Sequence, residues 1–180
     1  MRVIAGEFRS RRLRSIPGDA TRPTPDRLRE TLFDILQTRI AGATFADVYA
    51  GTGAVGIEAL SRGARYAWFL ERDRAALAAI RDNLAMLGAA ARATVLPGPV
   101  TKNLAAVHAD IVFLDPPYPL EKEYAAALDL LAANPPSLVI VQHSIRFSLA
   151  ESYSALHRTR VLKQGDNALS FYAPAPQIGD

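Results

Sequence analysis

A chain of 180 residues, 49% hydrophobic and 22% charged, is long enough for one well-buried core and too short for two comfortable domains. It has no cysteine and only three histidines, which excludes a disulfide framework, a thiolate nucleophile and Cys-based zinc and argues against any metal site; no run approaches the roughly 18 apolar residues of a membrane helix, and Met1 to Glu7 lacks a signal-peptide core. The formal charge of +3 is unevenly spread, because residues 1–40 hold nine of the 21 basic residues, all of them Arg, against five acidic ones. The expectation is a soluble, cytoplasmic protein with no membrane partner and a basic amino-terminal segment.

In chain order, the first fourteen residues alternate loosely around Gly6 and predict a small hairpin that displays Arg9, Arg11, Arg12 and Arg14. Arginines at that density suit bidentate contacts with phosphate oxygens and stacking on bases. A solvated charged face is the competing reading, and the use of arginine to the exclusion of lysine favours nucleic acid. The prolines at 17, 23 and 25 forbid regular structure in the loop that follows. From Asp26 onward Leu28, Leu32, Ile35, Leu36 and Ile40 recur at helical spacing, which predicts a helix capped by Thr24 or Asp26 and ending near Ala41-Gly42. Residues 1–21 are expected to form a basic extension that contacts nucleic acid, and residues 22–180 the main domain.

Strands and helices then alternate. Strands are predicted at 44–50, 66–70, 93–96, 111–114 and 138–142, helices at 54–62, 74–87 and 121–133, and a closing pair of strands at 156–162 and 168–173 around Gly165-Asp166-Asn167. Near-continuous apolar strands separated by helices indicate a mostly parallel sheet covered on both faces, and a tight final turn makes the last pair antiparallel.

The run from Asp47 to Gly56, DVYAGTGAVG, places a G-x-G-x-x-G spacing where a strand meets a helix. Such a turn lets backbone approach a ligand closely, and Glu71 at the end of the next strand can accept hydrogen bonds from ribose hydroxyls. A nucleoside-containing cofactor follows. Asp47 would repel a pyrophosphate, and it either receives an ammonium group or braces the loop through backbone N–H groups. With no room for a separate substrate domain, S-adenosylmethionine fits better than a nicotinamide cofactor.

The fourth strand runs into Asp115-Pro116-Pro117-Tyr118 on the same edge of the sheet. An exocyclic base amine is a poor nucleophile because its lone pair is delocalised into the ring, so a catalyst must hold the amine with that lone pair turned toward the methyl donor. The Asp115 carboxylate and the Pro116 carbonyl can accept its two N–H groups, two consecutive prolines fix those acceptors in advance, and Tyr118 can stack on the base. Whether Asp115 also removes a proton stays open at this stage. A proline-stiffened turn with Asp115 capping and Tyr118 in the core is the bland alternative.

These motifs resemble class I S-adenosylmethionine-dependent methyltransferases. Arg2-Val3-Ile4-Ala5-Gly6 with Arg11-Arg12-Leu13, the run from Arg22 to Phe33 (RPTPDRLRETLF) and the run from Tyr49 to Ala64 are similar, more specifically, to the bacterial 16S ribosomal RNA guanine-N2 methyltransferase family. The resemblance implies a Rossmann-like α/β fold, with a seven-stranded mostly parallel sheet, an antiparallel last strand and an amino-terminal β-hairpin for RNA. It also implies methylation of one guanine amine in 16S rRNA, within an assembled or assembling small ribosomal subunit, by a monomer that uses no metal. Carried onto this chain, it puts Asp47, Tyr49, Gly51, Gly53, Glu71, Arg22 and Thr24 at the cofactor, Asp115, Pro116, Pro117 and Tyr118 at the guanine, and Arg9, Arg11, Arg12, Arg14 and Arg27 on RNA.

Two departures stand out. Pro97-Gly98-Pro99 replaces the acidic residue that usually follows the third strand, and the fifth strand ends in Gln142-His143 where a carboxylate is expected. His143 is expected to be solvated. The rival readings are a DNA adenine or cytosine amino-methyltransferase, for which no duplex-recognition segment is visible, and a non-catalytic RNA-binding protein with a Rossmann-like domain, which would have no need of Gly51, Gly53, Glu71 and Asp115 together. A small NAD-dependent oxidoreductase lacks a hydride site in this sequence.

Overall fold

The computed structural model describes residues 1–16, 25–117 and 121–176. Five parallel strands come first: β1 (Thr44–Val48), β2 (Tyr66–Glu71), β3 (Ala93–Pro97), β4 (Ile111–Leu114) and β5 (Leu138–Ser144). Three more follow, β6 (Ser152–Tyr153), β7 (Leu156–Gln164) and β8 (Asn167–Pro174), and the sheet runs β3-β2-β1-β4-β5-β8-β7-β6. The order reverses beside β1, where open α/β sheets bind ligands at the carboxyl ends of the strands. Strand β8 is antiparallel to β5 and to β7, as the closing tight turn requires.

The sheet therefore has eight strands, one more than expected. The addition is β6, a two-residue piece that turns back onto β7 through Ser154, which adopts a left-handed φ of 49°. Tyr153 packs edge-on against Tyr172, and the Tyr172 hydroxyl donates to the Ala150 carbonyl, so side chains rather than a long ladder hold this edge.

Helices cover both faces. On one side lie α1 (Asp26–Leu36), α2 (Ala54–Ser61) and α3 (Arg74–Met86); α4 (Val100–Asn103) and α5 (Glu121–Ala132) lie on the other. The helix α1 differs from its expectation at both ends. Its N-cap is Pro25 and no side chain caps it; Asp26 is instead the first helical residue, where a carboxylate favours the dipole and accepts from Arg29 Nη2 at 2.9 Å. Thr24 lies outside the described residues. The helix stops at Leu36, whose carbonyl accepts from both Arg39 and Ile40 in a closing turn, so Ile40 reaches the core without being helical.

The amino-terminal segment is a hairpin closed by a single antiparallel bridge between Arg2 and Arg12, with Val3 N–H donating to the Arg11 carbonyl and Ser10 N–H to the Val3 carbonyl. Its apolar residues Val3, Phe8 and Leu13 are buried with Ile57, Leu60, Phe69 and Ile80. Polar side chains from α2 complete the attachment: the Glu58 carboxylate accepts from Ile4 and Ala5 N–H, and Ser61 Oγ accepts from Phe8 N–H. Gly6, at φ +83°, lies so close that a Cβ would fall 1.9 Å from the Ser61 carbonyl oxygen.

Candidate active site

Strand alternation decides which side chains meet at the carboxyl edge. Phe45 and Phe113 pack on the α1 side, so Asp47 and Asp115, each two residues further on, turn to that same side. Phe69 faces α2 as well, since a Cβ at Gly56 would lie 2.4 Å from its ring and 3.0 Å from Asp47 Cβ; Glu71 follows two residues later. Three carboxylates thus stand on one side of one edge, carried by β1, β2 and the residue after β4.

Two of them are used by the turn itself. Asp47, 1% exposed, accepts from Gly56 N–H at 2.7 Å and so holds the start of α2. Glu71 accepts from Gly51 N–H at 2.8 Å through one oxygen and from Arg72 and Asp73 N–H through the other. Burial pushes the Asp47 carboxyl up to about 8, with Asp115 and Glu71 adding to the rise, while the Gly56 N–H and Arg29 oppose it. An edge lined by three acidic side chains, of which Asp47 keeps its proton at neutral pH, suits a cationic ligand. Of the glycines, Gly51 (φ +55°) would direct a Cβ into open space, whereas one at Gly53 would meet Ile80 and Phe69 at 3.2 and 3.3 Å. The first glycine faces the opening and the other two let the helix approach the sheet.

Tyr49 takes a left-handed φ of 65°, unusual for an aromatic residue, and its hydroxyl donates to Glu123 on α5. This ties the glycine turn to the helix that follows the D-P-P-Y segment, and burial together with Glu123 pushes the Tyr49 phenol well above its ordinary range. Asp115 remains in the ladder through its N–H, which donates to the Val48 carbonyl at 3.2 Å; Pro116 is buried and Pro117 exposed. Tyr118, Arg22 and Thr24 lie outside the described residues.

The basic residues lie on the hairpin and on α1, and Asn83 of α3 links the Arg14 backbone to the Thr52 carbonyl of the glycine turn. Arg9 and Arg12 are exposed on the hairpin, Arg11 donates to the Met86 carbonyl, and Arg14 forms an exposed ion pair with Asp82 at 2.6 Å. Arg27 is exposed on α1. His143 is buried, contrary to expectation: Nδ1 meets the Ser144 carbonyl and Nε2 the Ser170 hydroxyl, and burial holds its pKa below the ordinary value.

Sequence reasoning missed two buried charges that frame the site. Arg29, with no exposed surface, donates from Nη2 to the Arg2 carbonyl and to Asp26, and lies within electrostatic reach of Glu58 and Asp47. Glu58 is the only charge in α2, all eight residues of which are buried. The signal was present as one ionic residue in each of two otherwise apolar helix faces, Leu28-Arg29-Leu32-Phe33 and Ile57-Glu58-Ala59-Leu60.

Comparison with known proteins places the chain among close relatives. The sequence profile of the family described as "Conserved hypothetical protein 95" matches residues 1–173. The Bacillus subtilis (strain 168) protein YlbH is 32% identical over 96% of this chain and 98% of its own length. Ribosomal RNA small subunit methyltransferase D of Escherichia coli (strain K12) is 42% identical over 120 residues, which cover 66% of this chain and 60% of the relative. Among solved structures, the Escherichia coli protein yhhF superposes with a TM-score of 0.87 at 32% identity, covering 98% of this chain and 99% of the other.

Proposed function

The chain belongs to the family described as Conserved hypothetical protein 95, and from that membership and the geometry of its edge we propose that it moves a methyl group from S-adenosylmethionine to the exocyclic N2 amine of a guanine in 16S rRNA. The observation that carries this reading is the single row of Glu71, Asp47 and Asp115 beside the Gly51 turn. S-adenosylmethionine supplies an electrophilic methyl group on a sulfonium, and its cationic character suits that row of carboxylates.

In this reading the open side of Gly51, with Gly53, Asp47 and Tyr49, lines the cofactor pocket. Glu71 shares its carboxylate between the turn and the ribose hydroxyls, and Arg22 and Thr24 join the pocket by family resemblance. Asp115 accepts one N–H of the guanine amine and the Pro116 carbonyl the other, so that the nitrogen lone pair is turned out of the ring. Pro117 stiffens the acceptors and Tyr118 stacks on the base. The amine becomes acidic only as the methyl arrives, and the Asp115 carboxylate already bonded to it is placed to take the proton. Arg9, Arg11, Arg12, Arg14 and Arg27 hold phosphates of the rRNA in an assembled or assembling small subunit, and the enzyme acts as a cytoplasmic monomer without a metal.

The test is methyl incorporation from labelled S-adenosylmethionine into unmethylated small subunits, naked 16S rRNA and duplex DNA, with nucleoside analysis of the product. N2-methylguanosine from a ribosomal substrate is the expected result. Label confined to DNA would replace this reading with that of a DNA amino-methyltransferase.

A further inference from the structure

Gln142 is the neighbour of Asp115 across the sheet. Leu114 of β4 pairs with Val141 of β5 as the last rung between the two strands, so Asp115 and Gln142 are the residues that directly follow it on neighbouring strands. Ile140 faces the α1 side with Phe113, and alternation turns Gln142 to that side beside the carboxylate. The glutamine is 5% exposed, and its Oε1 is buried without a hydrogen-bond partner among the described residues. Leaving such an acceptor unmet is costly, because the atom has given up water for no partner.

Its surroundings make that unmet acceptor informative. The next residue, His143, has both ring nitrogens engaged, and the buried Glu58, Asn83 and Asp47 all hold partners. The other buried side-chain atoms without partners among the described residues belong to Arg29, which is anchored through Nη2, and to Gln164 on β7, separated from β5 by β8. Of these three, Gln142 alone stands next to the group proposed to hold the target amine.

Building on the proposed guanine-N2 reaction, we propose that Gln142 is a specificity residue that reads the guanine ring edge beside that amine. On guanine the N2 amine, the N1–H donor and the O6 acceptor follow one another along a single edge. With Asp115 on the amine, the adjacent amide is placed to meet the next groups, Oε1 accepting from N1–H and Nε2 donating to O6. The unmet acceptor is thereby satisfied only when guanine is bound. A carboxylate at this position would keep the acceptor for N1–H; an apolar side chain would remove it.

The test compares guanine with 2-aminopurine at the mapped target position of reconstituted small subunits. The analogue keeps the exocyclic amine but lacks N1–H and O6. Wild-type protein, Gln142→Leu and Gln142→Glu are assayed for kcat/KM on both substrates, with S-adenosylhomocysteine affinity as the control for an intact fold. The expected result is a guanine preference of about 10- to 100-fold in the wild type, retained by Gln142→Glu and abolished by Gln142→Leu through loss of guanine activity alone, with S-adenosylhomocysteine affinity unchanged. Equal losses on both substrates, or an unaltered preference in Gln142→Leu, would overturn the assignment of Gln142 while leaving the guanine-N2 reaction standing. A wild-type protein that methylates neither substrate would overturn the reaction itself, and the assignment with it.

Discussion

The glycine turn and the D-P-P-Y segment share one edge of the sheet and are held there by opposite means. The turn is held by side-chain acceptors: Asp47 and Glu71 reach across to the N–H groups of Gly56 and Gly51. The segment after β4 is held by covalent restraint, with two proline rings and one ladder bond from Asp115 N–H to Val48. Carboxylates in the turn therefore belong partly to the fold, whereas the backbone that carries Asp115 is itself restrained by proline rings. A carboxylate that braces structure and one proposed to hold the target amine should fail differently when removed.

The sharpest break in that comparison is Asp115→Ala. Methyl transfer is expected to fall at least about 10²- to 10³-fold, with S-adenosylhomocysteine affinity within a few-fold of wild type. Loss of binding and activity together, measured by calorimetry and turnover, would count against separate roles for the two regions. Next comes Gly56→Ala, which forces a methyl group into the Phe69 ring and against Asp47. Thermal or urea unfolding should show a loss of about 1–3 kcal/mol, and an unaffected stability would mean that α2 can shift away without cost.

A third test uses pH. Because burial raises the Asp47 carboxyl from 3.8 to about 8, the native state holds a proton that the unfolded state has released between those values. Its contribution is thus fully present below pH 3.8 and is lost as pH rises toward 8. In an Asp47→Asn variant the side-chain amide oxygen still accepts the Gly56 N–H, but the group does not titrate. The melting temperature of that variant relative to wild type should therefore climb by several degrees between pH 4 and pH 8; a constant difference would show that the buried carboxyl is already paired. The smallest effects belong to the hairpin. Arg12→Gln should weaken rRNA association a few-fold and lower the salt slope by about one, and Arg14→Gln should do less, because Arg14 is already paired with Asp82. Filter binding across a salt series separates the two.

The sequence discloses this edge unevenly, for physical reasons. The five parallel strands were legible because burial on both faces makes them continuous apolar runs, and the place of Asp115 at the carboxyl edge was legible because it directly follows one of those runs. What escaped depends on partners distant in the chain. Glu58 looks like a surface charge until Ile4 and Ala5 fold onto it, and Gln142, visible in the sequence only as a departure from an expected carboxylate, gains a neighbour when β4 brings Asp115 to the same edge. Short elements were also lost: α4 occupies four residues after Pro99, and β6 only two. Ile40 kept the helical spacing while the backbone had already turned, so periodicity overran the end of α1.

The position of β8 has a consequence for the order of assembly. This strand comes last in the chain among those of the sheet, yet it sits inside it, between β5 and β7. Within the sheet, β7 and β6 are joined to the parallel strands only through it, so their ladder can extend the parallel half only after residues 167–174 have docked on β5. That pairing bridges residues up to 33 positions apart (Val139 with Tyr172) and is slower to form than the hairpin turn at Gly165. The chain should accordingly add β7 and β8 as a preformed ribbon, a single late event that closes the molecule.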